Sequence, residues 1–361
     1  RDGVVLVTIN YRLGALGFFA HPALTAAAPP DEPLVHYGVL DQIAALEWVR
    51  RDIAAFGGDP GNVTVFGESA GGSDILALMA APLAQGLFAK AIVESGGGWS
   101  APVTLAAAET RGEAEAVAAG APAGATIAQL RALPVSALVK RPAGYEGFVV
   151  DGRMFTETPT QAFADGHIAH VPLIIGSNSF EASLLKTFKA SPATVLAAAP
   201  PAVKAAYADL PTDQDKADAM FTDGVMGAPA RWIAGKTPRG PAYLYRFAYV
   251  VEALRPALKG VPHAFEIPFV FDSWEHLGSL GLGLKPDADD LAMTARVHGC
   301  WVAFARTSIP VCPVGPAWPP YTSAGDTLMD FDAVTTLKTH FNKARYDVQE
   351  AARLPALGLA R

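Results

Sequence analysis

A serine flanked by glycines is the first candidate for chemistry, in the pentapeptide Gly67-Glu68-Ser69-Ala70-Gly71. The pattern G-x-S-x-G is typical of a sharp turn from a strand into a helix, which exposes the serine hydroxyl above a sheet. Residues 62–66 (NVTVF) read as a strand, and a helical pattern follows to about residue 79. We expect both glycines to be required, because side chains there would collide with the strand and the helix. This context predicts Ser69 as a nucleophile.

A serine hydroxyl needs a base that takes its proton, and the base needs a third group that orients it. With the nucleophile on such a turn, the chain order is serine, acid, histidine. His263 lies in the loop GVPHAF, shortly after a predicted strand at 242–249, and is the predicted general base. Four other histidines after Ser69 precede a strand or lie on helical or irregular segments: His170, His276, His298 and His340.

Glu181 is the predicted acid, because it lies just beyond an apolar strand predicted at 171–176. Active-site groups gather at the carboxyl ends of the strands in open α/β sheets. Glu266, three residues after His263, is a competing carboxylate, whose other role would be to anchor the histidine loop. Asp151 and Asp165 precede the strand and fit the position less well.

The elements around these residues predict a mostly parallel, doubly wound sheet flanked by helices. Apolar runs indicate strands, and one helix shows apolar residues at spacings of three and four: strands at 3–10, 62–66, 89–94, 171–176 and 242–249, and a helix at 39–56. The stretches at about 100–170 and 183–240 are too long for simple loops and are expected to form helical, cap-like insertions. No linker divides residues 1–361, so we expect one domain.

The composition excludes several classes of function. A net charge of -7 without a Lys/Arg cluster argues against nucleic-acid binding, and no apolar run is long enough to span a membrane. Neither metal-ligand spacing nor a phosphate-binding loop is present, so we expect no metal and no cofactor. Cys300 lies in a predicted helix, which disfavours a disulfide with Cys312. Two cysteines do not define a compartment.

Several long segments resemble the type-B carboxylesterases, which have an α/β-hydrolase fold. They are INYRLGALGF (9–18), 41–72, GLFAKAIVESG (86–96), VPLIIGSNSFEASLL (171–185), GVPHAFEIPFVF (260–271) and WPPYTSAG (318–325). The resemblance implies a serine esterase with the triad Ser69, Glu181 and His263, acting on small-molecule esters. It also implies that Glu68 and Glu266 are supporting carboxylates.

Two departures from the family's pattern affect these expectations. The acid loop reads Phe180-Glu181-Ala182, where the family usually has Asp-Glu-Gly. The family's His-Gly-Gly loop, which supplies oxyanion-hole donors, belongs ahead of the segment where this sequence begins, so only the N–H of Ala70 is expected as a donor. Losing one donor costs a factor of about a hundred to a thousand in turnover. We therefore expect a chain without its N-terminal part, unstable or weakly active alone, with unpaired backbone at 3–10.

Two rival functions remain on the same fold. The first is a non-catalytic adhesion or binding protein, against which the intact Ser69, Glu181 and His263 argue. The second is a serine peptidase or an acyltransferase that uses the same turn. A peptidase would be expected to carry a separate large domain, whereas a transferase would form products with alcohol acceptors.

Overall fold

A six-stranded sheet forms the centre of the computed structural model, which describes residues 2–139, 148–237, 239–274 and 284–359. The spatial order of its strands is β1-β2-β5-β6-β7-β8, all parallel except for the antiparallel β7–β8 pair. The strands are Thr64–Glu68 (β1), Lys90–Glu94 (β2), Leu173–Asn178 (β5), Ala242–Phe247 (β6), Thr327–Phe331 (β7) and Thr336–Thr339 (β8). A separate parallel pair joins Pro102–Thr104 (β3) to Phe148–Val150 (β4).

Helices connect the strands and cover both faces of the sheet. In chain order they are Gly14–Phe18 (α1), Pro22–Ala27 (α2), Tyr37–Asp52 (α3), Ala70–Ala80 (α4), Leu105–Ala118 (α5), Ile127–Arg131 (α6), Val135–Val139 (α7), Pro159–Asp165 (α8), Leu184–Thr187 (α9), Pro192–Ala198 (α10), Pro201–Ala206 (α11), Asp213–Thr222 (α12), Ala228–Ala234 (α13), Ile267–Phe271 (α14), Ala288–Thr307 (α15) and Lys343–Arg353 (α16). Short 3₁₀ turns lie at Ile53–Phe56, Pro82–Ala84, Glu181–Ser183, Glu252–Leu254 and Pro355–Leu357, and a π-helical turn lies at Asp223–Gly227.

Alternating side chains of the strands build a hydrophobic core on each face of the sheet. Every residue of β2 and β5 is buried, as expected for central strands covered on both faces. Val93 and Ile175 belong to the core that also contains residues of α3, α4, α8 and α13. Ile92 and Ile174 belong to the core on the other face, together with residues of α14 and α15. The sheet therefore separates two packed layers, and its carboxyl edge is left for loops.

Most predicted elements are present, with small shifts of their ends. The helix predicted at 39–56 is α3 followed by a 3₁₀ turn, and Gly57 ends it with a φ of 80°. The strand before Ser69 runs to Glu68, two residues later than predicted, so the serine follows it directly. The predicted insertions contain β3, β4 and α5–α8 in one case and α9–α13 in the other, and α13 packs against β5 and β6. Residues 140–147 and 238 of these insertions, and His276, lie outside the described residues.

The prediction of a buried strand at 3–10 is wrong. The segment forms no strand, and the side chains of Val4, Val5, Leu6, Val7 and Ile9 are between 36% and 53% exposed. A strand needs a neighbour that accepts and donates its backbone hydrogen bonds. Within the described residues, none of the strands pairs with this segment, and β1 occupies one end of the sheet order.

The expectation that the two cysteines stay unpaired is also wrong. Cys300, on α15, forms a disulfide with Cys312, twelve residues later. Residues after the end of α15 fold back, so that Pro313 lies beside Gly299 and the two sulfur atoms meet. A helical position for one cysteine does not prevent pairing when the following loop returns to the same helix.

None of the helices in the described ranges is both long enough and apolar enough to cross a membrane.

Removing the disulfide is expected to lower stability. The bond closes a loop of about a dozen residues, for which the loss of unfolded-state entropy is worth about 3 kcal/mol. A Cys300→Ala/Cys312→Ala variant should lose about 2–4 kcal/mol in urea denaturation. Reductant should destabilise the parent chain by a similar amount and leave the variant unchanged. Equal stability of the parent with and without reductant, with both thiols free to react under denaturing conditions, would contradict the pairing.

Candidate active site

Ser69 occupies a strained turn between β1 and α4. Its backbone has φ 57° and ψ -119°, a conformation that a side chain makes costly by about 1–3 kcal/mol. The turn is held by its neighbours, since the Ser69 N–H donates to the Glu94 carbonyl at 2.8 Å. The Ser69 carbonyl accepts from the N–H of Ser73 at 3.0 Å, the first turn of α4. The serine side chain is half-buried at the carboxyl edge of the sheet.

The two glycines of the pentapeptide are not equivalent, which corrects the expectation that both are required to avoid collisions. A Cβ on Gly67 would lie 2.5 Å from the carbonyl carbon of Gly71, so the strand and the helix approach too closely for a side chain. A Cβ on Gly71 would meet no atom within 4 Å. The tight contact on the other side of α4 involves Gly72, where a Cβ would lie 2.8 Å from the Cα of Gly96.

Ala70, the predicted oxyanion donor, is the first residue of α4. The first N–H groups of a helix have no carbonyl partner within it, and they carry the positive end of the helix dipole. The backbone N–H of Ala70 is therefore suited to stabilise a negative oxygen beside Ser69.

Two loops that are distant in sequence join at the same edge of the sheet and bring Glu181 to His263. Phe180 and Pro262 form an isolated parallel bridge, and the Phe180 N–H donates to the Val261 carbonyl at 2.9 Å. The Ser183 hydroxyl oxygen accepts from the His263 N–H at 2.9 Å. These contacts involve only backbone and small hydroxyl groups, so they position the histidine loop tightly against the end of β5.

Glu181 is fully buried and contacts His263 directly. Its Oε2 lies 2.6 Å from Nδ1 of His263, and its Oε1 accepts from the Ser95 hydroxyl and the Asn178 N–H, both at 2.6 Å. Burial lowers the pKa of His263, but the hydrogen bond and charge of Glu181 and the charge of Glu68 together raise it above its usual value. When Nδ1 donates the hydrogen bond to Glu181, Nε2 is the nitrogen available to accept a proton.

Nε2 of His263 faces Glu68 and has no hydrogen-bond partner within the part of the chain that the structure describes. Its distance from Oε1 of Glu68 is 3.1 Å. Burial raises the pKa of Glu68 to about 7, against the opposing effect of the His263 charge. Because Glu68 directly precedes Ser69, the imidazole and the serine lie in the same corner of the sheet edge. Catalytic hydrogen bonds are often formed only when substrate is bound.

Glu266 contacts neither nitrogen of His263 through a described hydrogen bond. It is buried, and its Oε2 accepts from the side-chain amide of Asn178, whose Nδ2 also donates to the Pro262 carbonyl at 2.9 Å. Burial, with the charges of Glu94 and Glu181, raises the pKa of Glu266 well above its usual value. Glu266 thus ties the histidine loop to the end of β5, and of the two candidate acids only Glu181 meets the imidazole.

Sequence reasoning missed three residues of this network: Ser95, Asn178 and Glu94. Ser95 follows β2 directly with a φ of 48°, and Asn178 is the last residue of β5. Glu94, the last residue of β2, is the register partner of Glu68 and accepts from the indole N–H of Trp301 at 2.7 Å. Burial raises the pKa of Glu94 to about 7. Polar residues at the carboxyl ends of predicted central strands were the available signal.

Comparisons with known proteins agree in one family. The model of the carboxylesterase family matches residues 1–199 and 194–349. Fumonisin B1 esterase of Sphingopyxis macrogoltabida is 34% identical over 372 residues, covering 91% of this chain and 64% of that protein. Para-nitrobenzyl esterase of Bacillus subtilis is 33% identical over 359 residues, covering 93% of this chain and 70% of the relative. The chain thus spans less than two thirds of the length of the fumonisin esterase.

Solved structures of esterases have the same fold. A thermophilic para-nitrobenzyl esterase superposes with a TM-score of 0.78 at 28% identity, covering 94% of this chain and 72% of its own. A carboxylesterase of Geobacillus stearothermophilus superposes with a TM-score of 0.80 at 27% identity, covering 94% and 74%. The architecture is the α/β-hydrolase fold, as the sequence predicted.

Substitutions at Gly67 and Gly71 should differ sharply in their effect on stability. Gly67→Ala forces a methyl group against the backbone of α4 and should cost about 1–3 kcal/mol in urea denaturation. Gly71→Ala places the same group in open space on a helix and should be neutral or stabilising by up to about 1 kcal/mol. Equal losses for the two variants would show that the close approach at Gly67 is not what requires glycine.

Proposed function

Because this chain belongs to the carboxylesterase family, we propose that it is a serine hydrolase that cleaves carboxylic esters through an acyl-enzyme intermediate. The observation that carries the proposal is the position of Ser69 on a strained turn directly after Glu68, which faces an imidazole that a buried carboxylate contacts. The substrates are small-molecule esters, in keeping with the family. Ser69 is the proposed nucleophile, His263 the general base and Glu181 the orienting acid.

The proposed reaction begins when Ser69 attacks the ester carbonyl. Nε2 of His263 takes the hydroxyl proton, and the imidazolium is stabilised by Glu181 at Nδ1. The backbone N–H of Ala70 donates to the oxyanion of the tetrahedral intermediate. His263 then returns the proton to the departing alcohol, leaving Ser69 acylated. A water molecule, deprotonated by His263, hydrolyses the acyl-enzyme and restores the serine.

Two carboxylates support this arrangement without reacting. When it is ionised, Glu68 places a negative charge 3.1 Å from Nε2 of His263, where positive charge develops as the base takes its proton. Glu266 holds Asn178, which in turn donates its N–H to Glu181. Its role is therefore to position the acid loop and the histidine loop together. The mechanism needs neither a metal nor a cofactor.

We propose in addition that residues 1–361 act as one domain whose two insertions, at about 100–170 and 183–240, cover the carboxyl edge of the sheet. In support, Thr222 on α12 accepts from the N–H of Ala182 in the acid loop at 3.2 Å. Thr160 on α8 donates to the carbonyl of Gly98, in the loop that follows β2. Both insertions thus contact loops that flank the site.

Ester hydrolysis by the purified chain should depend on Ser69. Ser69→Ala removes the nucleophile and should lower kcat for p-nitrophenyl acetate by at least about a thousandfold. Labelling by a fluorophosphonate probe should disappear with it. Ser136→Ala, at an exposed position of α7, is the control and should behave as the parent. A folded parent chain that neither hydrolyses the ester nor takes the label would refute the proposal.

The acidic limb of the pH profile should respond to Glu68. His263 must be neutral to act as a base, so kcat/KM rises as the pH passes through the pKa of His263. The charge of Glu68 raises that pKa, so Glu68→Gln should lower it and move the limb to lower pH. The readout is kcat/KM for p-nitrophenyl acetate from pH 5 to 9.

Glu47→Gln, on the exposed side of α3, makes the same chemical change away from the imidazole and should leave the profile in place. A limb that stays fixed or moves to higher pH in Glu68→Gln would contradict the electrostatic role of Glu68.

A further inference from the structure

The π-helical turn Asp223–Gly227 stands between α12 and α13 and presents one exposed apolar side chain. Asp223, Met226 and Gly227 are buried, whereas Val225 is 39% exposed. Single π-helical turns are rare and are frequently found at functional sites, because they alter the direction of the side chains they carry.

Buried contacts beneath the turn determine its shape. The Tyr207 hydroxyl donates to Oδ2 of Asp223 at 2.8 Å. A Cβ on Gly227 would lie 2.5 Å from the hydroxyl oxygen of Tyr346, and one on Gly224 would lie 2.8 Å from Oε1 of Gln349. Both glycines therefore allow α16 to pack directly against the turn. Val225 therefore belongs to a turn that packs against α16, and not to a free loop.

The turn contacts both loops that flank the candidate triad. Thr222, immediately before the turn, accepts from the N–H of Ala182, the residue after Glu181. On the other side, the carbonyl oxygen of Val225 lies 3.5 Å from the position that a Cβ on Gly97 would occupy. The turn therefore lies across the carboxyl ends of β2 and β5.

The glycine loop Gly96–Gly98 connects this turn to Ser69. Its Gly96 carbonyl accepts from the Ser73 hydroxyl at 2.7 Å. Ser73 is four residues after Ser69 on α4, a rise of about 6 Å at 1.5 Å per residue. The glycine loop thus passes within about one helical turn of the nucleophile. A Cβ on Gly96 would lie 2.6 Å from Cγ1 of Val93, and one on Gly98 would collide with Cδ1 of Ile233, so neighbouring side chains fill both positions. Only Gly97 faces the turn, which limits the space on that side of the loop.

We propose that Val225 is a specificity-determining residue whose isopropyl group forms one wall of the cleft above Ser69. It limits the size of the ester group that lies against the glycine loop Gly96–Gly98. The inference rests on the proposed ester hydrolysis and adds to it a size limit for branched substrates. Because Val225 is exposed, its replacement is expected to leave folding intact.

The test changes the size of the side chain and compares esters that differ only in acyl branching. Val225→Phe should lower kcat/KM for p-nitrophenyl trimethylacetate relative to p-nitrophenyl acetate by about tenfold or more. Val225→Ala should change the same ratio in the opposite direction, several-fold. The change should lie mainly in KM, since a wall that excludes bulk affects ground-state and transition-state binding alike. Val334→Phe, 74% exposed between β7 and β8, is the matched control and should keep the parent ratio.

Labelling of Ser69 by a small fluorophosphonate separates the possible outcomes. An unchanged ratio in both Val225 variants, with labelling intact, would overturn the role of Val225 and leave the proposed hydrolysis standing. If Val225→Phe loses labelling as well as turnover of every ester, the Val225→Ala variant is the test. A higher relative kcat/KM for the trimethylacetate ester in Val225→Ala would support the role of Val225, and the parent ratio would overturn it. A parent chain without labelling or turnover would remove the proposed function and this inference together.

Discussion

The hydrogen bond between Glu181 and His263 joins loops whose residues are 82 positions apart in the chain, and the geometry of the candidate site depends on it. A fully buried carboxylate is costly unless donors replace the water it has lost. Glu181 has three such donors, His263, Ser95 and the backbone of Asn178, all at 2.6 Å. Each comes from a different segment, so satisfying this one carboxylate requires the ends of β2 and β5 and the histidine loop to assemble together.

Four glutamates lie at or near the same edge of the sheet. Glu68 and Glu181 contact the imidazole of His263, and the charges of Glu94 and Glu181 act on the buried Glu266. Glu68, Glu94 and Glu181 end or follow neighbouring strands. Burial raises the pKa of Glu68 and of Glu94 to about 7, and it raises the pKa of Glu266 well above its usual value. Glu68 and Glu94 therefore exchange protons near neutral pH. The negative charge facing His263 depends on whether Glu68 holds a proton. Glu68 therefore influences the pKa of His263.

Small residues make the packing around the nucleophile possible. Gly67, Gly72 and Gly96 let β1, α4 and the loop after β2 approach within van der Waals contact of backbone atoms. That approach holds Ser69 in its strained conformation, because the Ser69 N–H donates to the carbonyl of Glu94 at the end of the adjacent strand β2. In the loop at 96–98, Gly97 faces the π-helical turn, whose Val225 carbonyl lies 3.5 Å from the position that a Cβ on this glycine would occupy.

Local patterns in the sequence determined a large part of this protein. The periodicity of α3, the apolar runs of β2, β5 and β6, and the pentapeptide around Ser69 depend on neighbours within a few residues, so they could be predicted. Chain order and position after strands also led to Glu181 and His263. Their catalytic roles remain predictions, but the structure brings the two side chains into contact.

Only the tertiary structure decided which groups complete the network, because each of those choices depends on distances through space. Ser95 and Glu94 matter because β2 lies between β1 and β5, an order that the sequence does not display. Cys300 meets Cys312 because the chain folds back on α15, and residues 3–10 remain unpaired because no described strand lies beside them. A side chain would fit at Gly71 but not at Gly67, although the G-x-S-x-G pattern does not distinguish the two glycines. The local sequence determines which helices and strands form, whereas the order of the strands in the sheet determines which side chains come into contact.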